Sequence, residues 1–115
     1  MTRALVDQIC EALPGATRAL AAEGELDSWK VGGKMFACFG PTSGDGVSVK
    51  TAGTDTATML IDAGIGTRAR YFHRSWIRLG FDLDEAELRH RIETSYDLIR
   101  AALPRAQRTA LPDRT

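Results

Sequence analysis

The sequence predicts an α+β fold, a two-layer sandwich in which an antiparallel sheet is backed by N- and C-terminal helices. Three observations carry this. Apolar residues recur at helical spacing near both ends of the chain, the period changes to two through the middle, and the strand-like runs are joined by connections too short for parallel crossovers. Amphipathic helices with one apolar face each must then cover one side of the sheet and leave the other polar. The expected order is α-β-β-β-α-β-β-α.

The first helix is TRALVDQICEAL, with Leu5, Ile9 and Leu13 in register and Val6 and Cys10 alongside. Thr2 supplies its N-cap, and Pro14-Gly15 ends it. Residues 16–25 read as a short helical turn ending at Gly24, with the conformation of 16–26 left open. LDSWKV, Gly32-Gly33 and KMFACF form a β-hairpin, because two adjacent glycines can supply the positive φ values of a type I′ turn. The loop PTSGDG leads to GVSVKT, a third strand with Val47, Val49 and Thr51 on one side and Ser48 and Lys50 on the other. TDTATMLIDAG is a helix capped by Thr54 or Asp55 and closed by Gly64, with Ala57, Leu60 and Ile61 available to the core.

TRARYF and WIRLGF return to alternation around the turn HRS, with Ala69, Tyr71, Ile77, Leu79 and Phe81 facing the core. In DLDEAELRHRIETSYDLIRAALP, Asp82 or Asp84 is the N-cap, each with Glu three residues later. Leu88, Ile92, Tyr96, Ile99 and Leu103 mark the buried face until Pro104 stops the helix. Residues 1–104 make one domain, and 105–115 are a polar, flexible tail.

With 43% apolar and 26% charged residues in 115, the chain has the composition of a globular domain that needs no metal or disulfide to fold. No apolar run approaches the ~18–20 residues of a membrane span, and the N-terminus lacks a signal-peptide pattern, so a cytoplasmic protein with no membrane partner is expected; a monomer is favoured, with the oligomeric state left open. Cys10 and Cys38 lack CxxC spacing and read as buried thiols. Asp82, Asp84, Glu85 and Glu87 complement a helix N-terminus, so no metal site is assigned to them. VGGKM lacks the spacing of a phosphate-binding loop. No cofactor and no catalytic residue are implied.

The formal charge of zero hides a division. Residues 28–81 hold three acids and seven bases, and no Asp or Glu lies between Asp62 and Asp82. Within that gap, RARYFHRSWIRLGF packs four arginines, a histidine and four large aromatics into fourteen positions. Alternation places Ser28 and Lys30, Ser48 and Lys50, Arg68 and Arg70, and Trp76 and Arg78 on the face the helices leave uncovered. The candidate nucleic-acid-binding set is Lys30, Lys34, Lys50, Arg68, Arg70, His73, Arg74, Trp76 and Arg78, with Gly32-Gly33 and HRS as hairpin tips. DNA is the expected partner, bound with weak sequence preference, since no recognition-helix signature accompanies these residues. The alternative is a small anionic ligand, in a binding or enzymatic site, held by Arg70, His73, Arg74 and Arg78. The plainest reading is that arginine stems cover exposed sheet while Trp76 caps the core edge.

WKVGGKMFACFG at 29–40, ARYFHRSWIRLGFD at 69–82 and SYDLIRAALP at 95–104 together resemble the MmcQ/YjbR family of small bacterial proteins, over most of the chain from LPG at 13–15 to Arg108. The resemblance implies a frataxin-like sandwich, and a DNA-binding role through a double-wing arrangement of β-hairpins. ATRALAAEGELDSW departs from the family pattern in lacking an aromatic and proline-rich approach to the first strand.

Overall fold

The computed structural model describes residues 2–39 and 45–114, so the PTSG part of the expected loop lies outside the described residues. The elements are α1 (Arg3–Glu11), β1 (Ala16–Ala19), a 3-10 turn (Ala21–Glu23), β2 (Ser28–Val31), β3 (Lys34–Cys38), β4 (Gly46–Lys50), α2 (Thr54–Asp62), β5 (Thr67–Arg68), β6 (Trp76–Gly80), α3 (Glu85–Ala101) and α4 (Arg105–Ala110). The strands form one sheet in the order β1-β2-β3-β4-β6-β5, with every neighbouring pair antiparallel. The expected α+β arrangement is present, with β1 and α4 as additional elements.

Local chemistry accounts for most boundaries. The Thr2 hydroxyl accepts from Leu5 N at the start of α1, and the Asp84 carboxylate accepts from Glu87 N at the start of α3. Gly32 and Gly33 have φ values of 59° and 79° between the paired Val31 and Lys34, as a type I′ hairpin requires. The cap of α2 differs from expectation: it is Gly53, with no side-chain hydrogen bond, and Thr54 is already inside the helix.

Two departures are larger. Residues 16–19, expected as a helical turn, are an edge strand on β2, with Ala16 opposite Val31 and Ala19 opposite Ser28. Their helix-forming alanines yield to the unpaired backbone groups of β2, which a strand satisfies and a helical turn does not. TRARYF is a strand only at Thr67 and Arg68. The chain then leaves the sheet through a turn closed by Phe72 N donating to Ala69 O, so Tyr71, expected in the core, is 97% exposed.

Val47, Val49, Ile77 and Leu79 face the helices and join Val6, Ile9, Leu60, Leu88 and Ile92 in one core. In β3 both Phe36 and Ala37 are buried in that core, because a bulge between β2 and β3 leaves one residue of the ladder unmatched. The Ser95 hydroxyl of α3 occupies the place of the next ladder rung. It donates to Phe36 O at 2.7 Å and accepts from Lys50 N at 2.9 Å. Beside it the Tyr96 ring meets Phe36 edge-on with centroids 5.3 Å apart, and its hydroxyl donates to Pro14 O.

An ionic clamp ties α1 to the sheet edge. Asp27 accepts from Arg3 at 2.8 Å and Arg18 at 2.7 Å, and Asp7 accepts from the Trp29 indole at 2.8 Å. Burial pushes the Asp27 carboxyl up, but the hydrogen bonds and charges of Arg3 and Arg18 outweigh it and hold its pKa below 3.8. Cys10 lies in the core on the helix side and Cys38 on the opposite side of the sheet, and they do not bridge each other. Burial, and then the nearby Asp7 charge, push the Cys10 thiol up to about 12, which makes it an unreactive packing residue. Among the described residues, no helix is long and apolar enough to cross a membrane.

Replacing Ser95 with Ala strands a buried amide and a buried carbonyl and should cost about 2 kcal/mol in urea denaturation. A depressed folded pKa means that Asp27 contributes stability above its unfolded value and loses it as pH falls through the folded value. Asp27→Asn should therefore destabilise at neutral pH, and its deficit against the parent protein should close in acid as pH falls below 3.8, measured by denaturation at each pH.

Candidate functional site

The face turned away from the helices is organised by register. Ala19, Ser28, Cys38, Ser48, Arg78 and Thr67 are successive partners across all six strands, and Lys50 stands opposite Trp76 in a neighbouring row. Lys30, Lys50, Trp76 and Arg78 thus share one face, as alternation requires. The face is not an open plane. Ser28, Cys38 and Ser48 in its central row are buried. The 69–75 connection and Leu26 help enclose a cleft of about 840 Å³ over the sheet.

Arg68 stands opposite Ile77, out of the basic row, and its guanidinium donates to Ala69 O at 2.6 Å and Phe72 O at 3.1 Å. It is a brace for the turn. Within that turn Tyr71 has φ of 71°, in the left-handed region that side chains with a Cβ seldom occupy, and it is held there with its ring in solvent. Phe72 folds back instead and stacks on Trp76, with centroids 4.6 Å apart and planes inclined by 21°.

Behind the turn runs a hydrogen-bond chain. Lys50 Nζ donates to Ser75 Oγ at 3.1 Å, and Ser75 Oγ lies 2.9 Å from His73 Nδ1, which also accepts Ser75 N–H at 3.1 Å. With Nδ1 as acceptor, the neutral ring carries its proton on Nε2. Arg78 runs along the cleft and pairs at 3.7 Å with Asp45, a fully exposed carboxylate. Gly46 lets it lie close to the sheet, since a Cβ there would sit 2.8 Å from Arg78 Cζ and 2.7 Å from Leu79 O.

The expected site residues therefore separate. Arg68, Arg70, His73 and Arg78 line the cleft, with Lys50 behind it and Arg74 exposed beside it. Lys30 is neutralised by an ion pair with Glu25, and Lys34 is exposed at the tip of the first hairpin. Trp76 is only 9% exposed and sealed by Phe72, so the aromatic presented to solvent is Tyr71. Sequence reasoning also passed over the apolar wall formed by Leu26, Met35, Phe39 and Phe72, which belong to segments far apart in the chain. It missed Gly46 as well, because a spacer glycine at a strand start has no distinctive signature.

The YjbR family model matches residues 11–98. The chain belongs to the YjbR family. The matched span contains every residue that lines the cleft. The crystal structure of Deinococcus radiodurans protein DR2400, described by the family-model domain DUF419, superposes with a TM-score of 0.79 over 96% of this chain and 88% of that one. At 20% identity this likeness is one of fold. No curated protein matches the sequence. The span matched in this YjbR chain also contains Ser95 and Tyr96, the two residues that lock α3 onto the sheet.

Backbone strain at Tyr71 makes a direct prediction. The left-handed conformation costs a residue with a Cβ about 1–2 kcal/mol, part of which glycine returns as extra entropy of the unfolded chain. Tyr71→Gly should leave urea stability equal or raise it by up to ~1 kcal/mol. A loss of stability would show that the exposed ring makes a stabilising contact.

Proposed function

We propose that this YjbR chain is a cytoplasmic nucleic-acid-binding protein whose contact element is the 69–75 connection together with the cleft beneath it. The observation that carries this reading is the presentation of Arg70, Tyr71 and Arg74 at an exposed turn. Neither arginine has a carboxylate partner among the described residues, whereas Arg3, Arg18, Lys30 and Arg114 are held in ion pairs. Arg68 spends its own charge on fixing the turn, so the tip is ordered before any partner arrives and less ordering entropy is lost on binding.

Phosphates are recognised by such exposed guanidinium heads, and an exposed aromatic ring stacks on bases with little regard to sequence. The zero net charge argues against long-range steering and for a short-range contact of few phosphates. Binding is therefore weak, tolerant of sequence and modestly sensitive to salt, with a slope of log affinity against log salt of a few units at most.

Fluorescence anisotropy with labelled DNA and RNA oligonucleotides at several salt concentrations tests the reading. Arg70→Ala and Arg74→Ala should each weaken binding equally across sequences and reduce the slope of log affinity against log salt by about 0.7–0.9. No binding at about 50 mM salt, or affinity indifferent to both substitutions, overturns it.

A further inference from the structure

We infer that the cleft between the sheet and the 69–75 connection is a discrete site for one nucleotide unit, a planar heteroaromatic ring carrying a phosphate. The inference deepens the nucleic-acid reading: it assigns the cleft to an unpaired nucleotide and the exposed turn to the neighbouring backbone.

Three features select that chemistry. The first is size and shape, since a concavity of about 840 Å³ falls in the range of small-molecule sites, whereas a surface that only tracks phosphates needs no enclosed volume. The second is an apolar wall. Met35, Phe39 and Phe72 border the cleft, and Phe72 is held by its stack on Trp76, so a flat ring meets a preformed apolar surface.

The third is the sign of the polar groups. Arg70 and Arg78 are permanent donors, and His73 offers its Nε2 proton because Nδ1 is occupied by Ser75. Among the described residues no Asp or Glu lines the cleft, and Asp45, which pairs with Arg78 at 3.7 Å, is fully exposed and easily displaced by a phosphate. A cleft whose charged side chains are all cations disfavours a cationic ligand and favours an anion rich in acceptor atoms. Guanidinium pairs suit the planar, bidentate recognition of phosphate in particular.

The same unit can come from a free nucleotide or from an unpaired position in a strand, and the experiment separates them. Adenosine 5′-monophosphate, adenosine and inorganic phosphate are titrated separately into the full chain, with backbone amide shifts followed by NMR. The inference expects saturable shifts from the monophosphate at residues 35–39, 48 and 70–73, with adenosine and phosphate each weaker by about ten-fold or more, the scale of one lost charge-assisted contact or one lost stacking surface. Arg70→Glu, an exposed and fold-neutral change, should abolish the response. Met35→Glu should do the same by placing a negative charge against the ring, with thermal unfolding confirming that each variant is folded.

If oligonucleotides bind but the monophosphate leaves the cleft amides unmoved, the cleft assignment falls while the turn reading stands. If phosphate alone binds as well as the monophosphate, the ring is not held and the inference is overturned. If the monophosphate saturates the cleft but no oligonucleotide binds, the cleft inference stands with a free nucleotide as ligand and the nucleic-acid reading falls. Tighter binding of single strands than of duplex identifies the unpaired strand position as the source.

Discussion

A serine hydroxyl from a helix completes the hydrogen-bond ladder between β3 and β4. The bulge in β3 breaks regular pairing after Ala37 and Val49, and Ser95 Oγ bridges the gap by serving Phe36 O and Lys50 N together. Buried backbone groups must find partners, so α3 can sit at only one height and rotation on the sheet. Tyr96 follows at the next position, and its ring fills the space beside Phe36 while its hydroxyl reaches Pro14 O at the end of the first helical segment. The α1 and α3 layer is thereby fixed to one side of the sheet.

What happens on the other side depends on this. With Lys50 N bonded to Ser95, the Lys50 side chain emerges on the opposite face, where its ammonium supports Ser75 and through it the orientation of His73. The cleft and the core are two faces of the same four central strands. The arginines are sorted by the same geometry. Arg3 and Arg18 are drawn into the Asp7 and Asp27 clamp at the sheet edge, Arg68 binds carbonyls of its own turn, and Arg70 and Arg74 are left at the surface.

The elements that were readable in the sequence share one property, a local cause. Thr2 and Asp84 cap the helices that begin beside them, Gly32-Gly33 makes its own turn, and the alternation of Val47, Ser48, Val49 and Lys50 sorts them to two faces without outside help. The elements that were misread are those whose cause lies elsewhere in the chain. Ala16–Ala19 is a strand because β2 has an edge to fill. Tyr71 is exposed because the chain turns at Ala69 under the grip of Arg68, and alternation assumes that no turn intervenes. Trp76 is sealed because Phe72 returns onto it.

By itself the sequence determined the two-layer α+β architecture, the polar side of β2, β4 and β6 and the concentration of positive charge between residues 68 and 78, because periodicity and composition are local quantities. Only the tertiary structure decided which cations remain available and that the polar face is concave. Neutralisation of Lys30 by Glu25, the approach of Arg78 over Gly46, and the meeting of Leu26, Met35 and Phe39 with a turn some thirty to forty-five residues later are contacts between groups whose distance in space is set by the whole sheet. A pattern of one residue's neighbours along the chain contains no information about them.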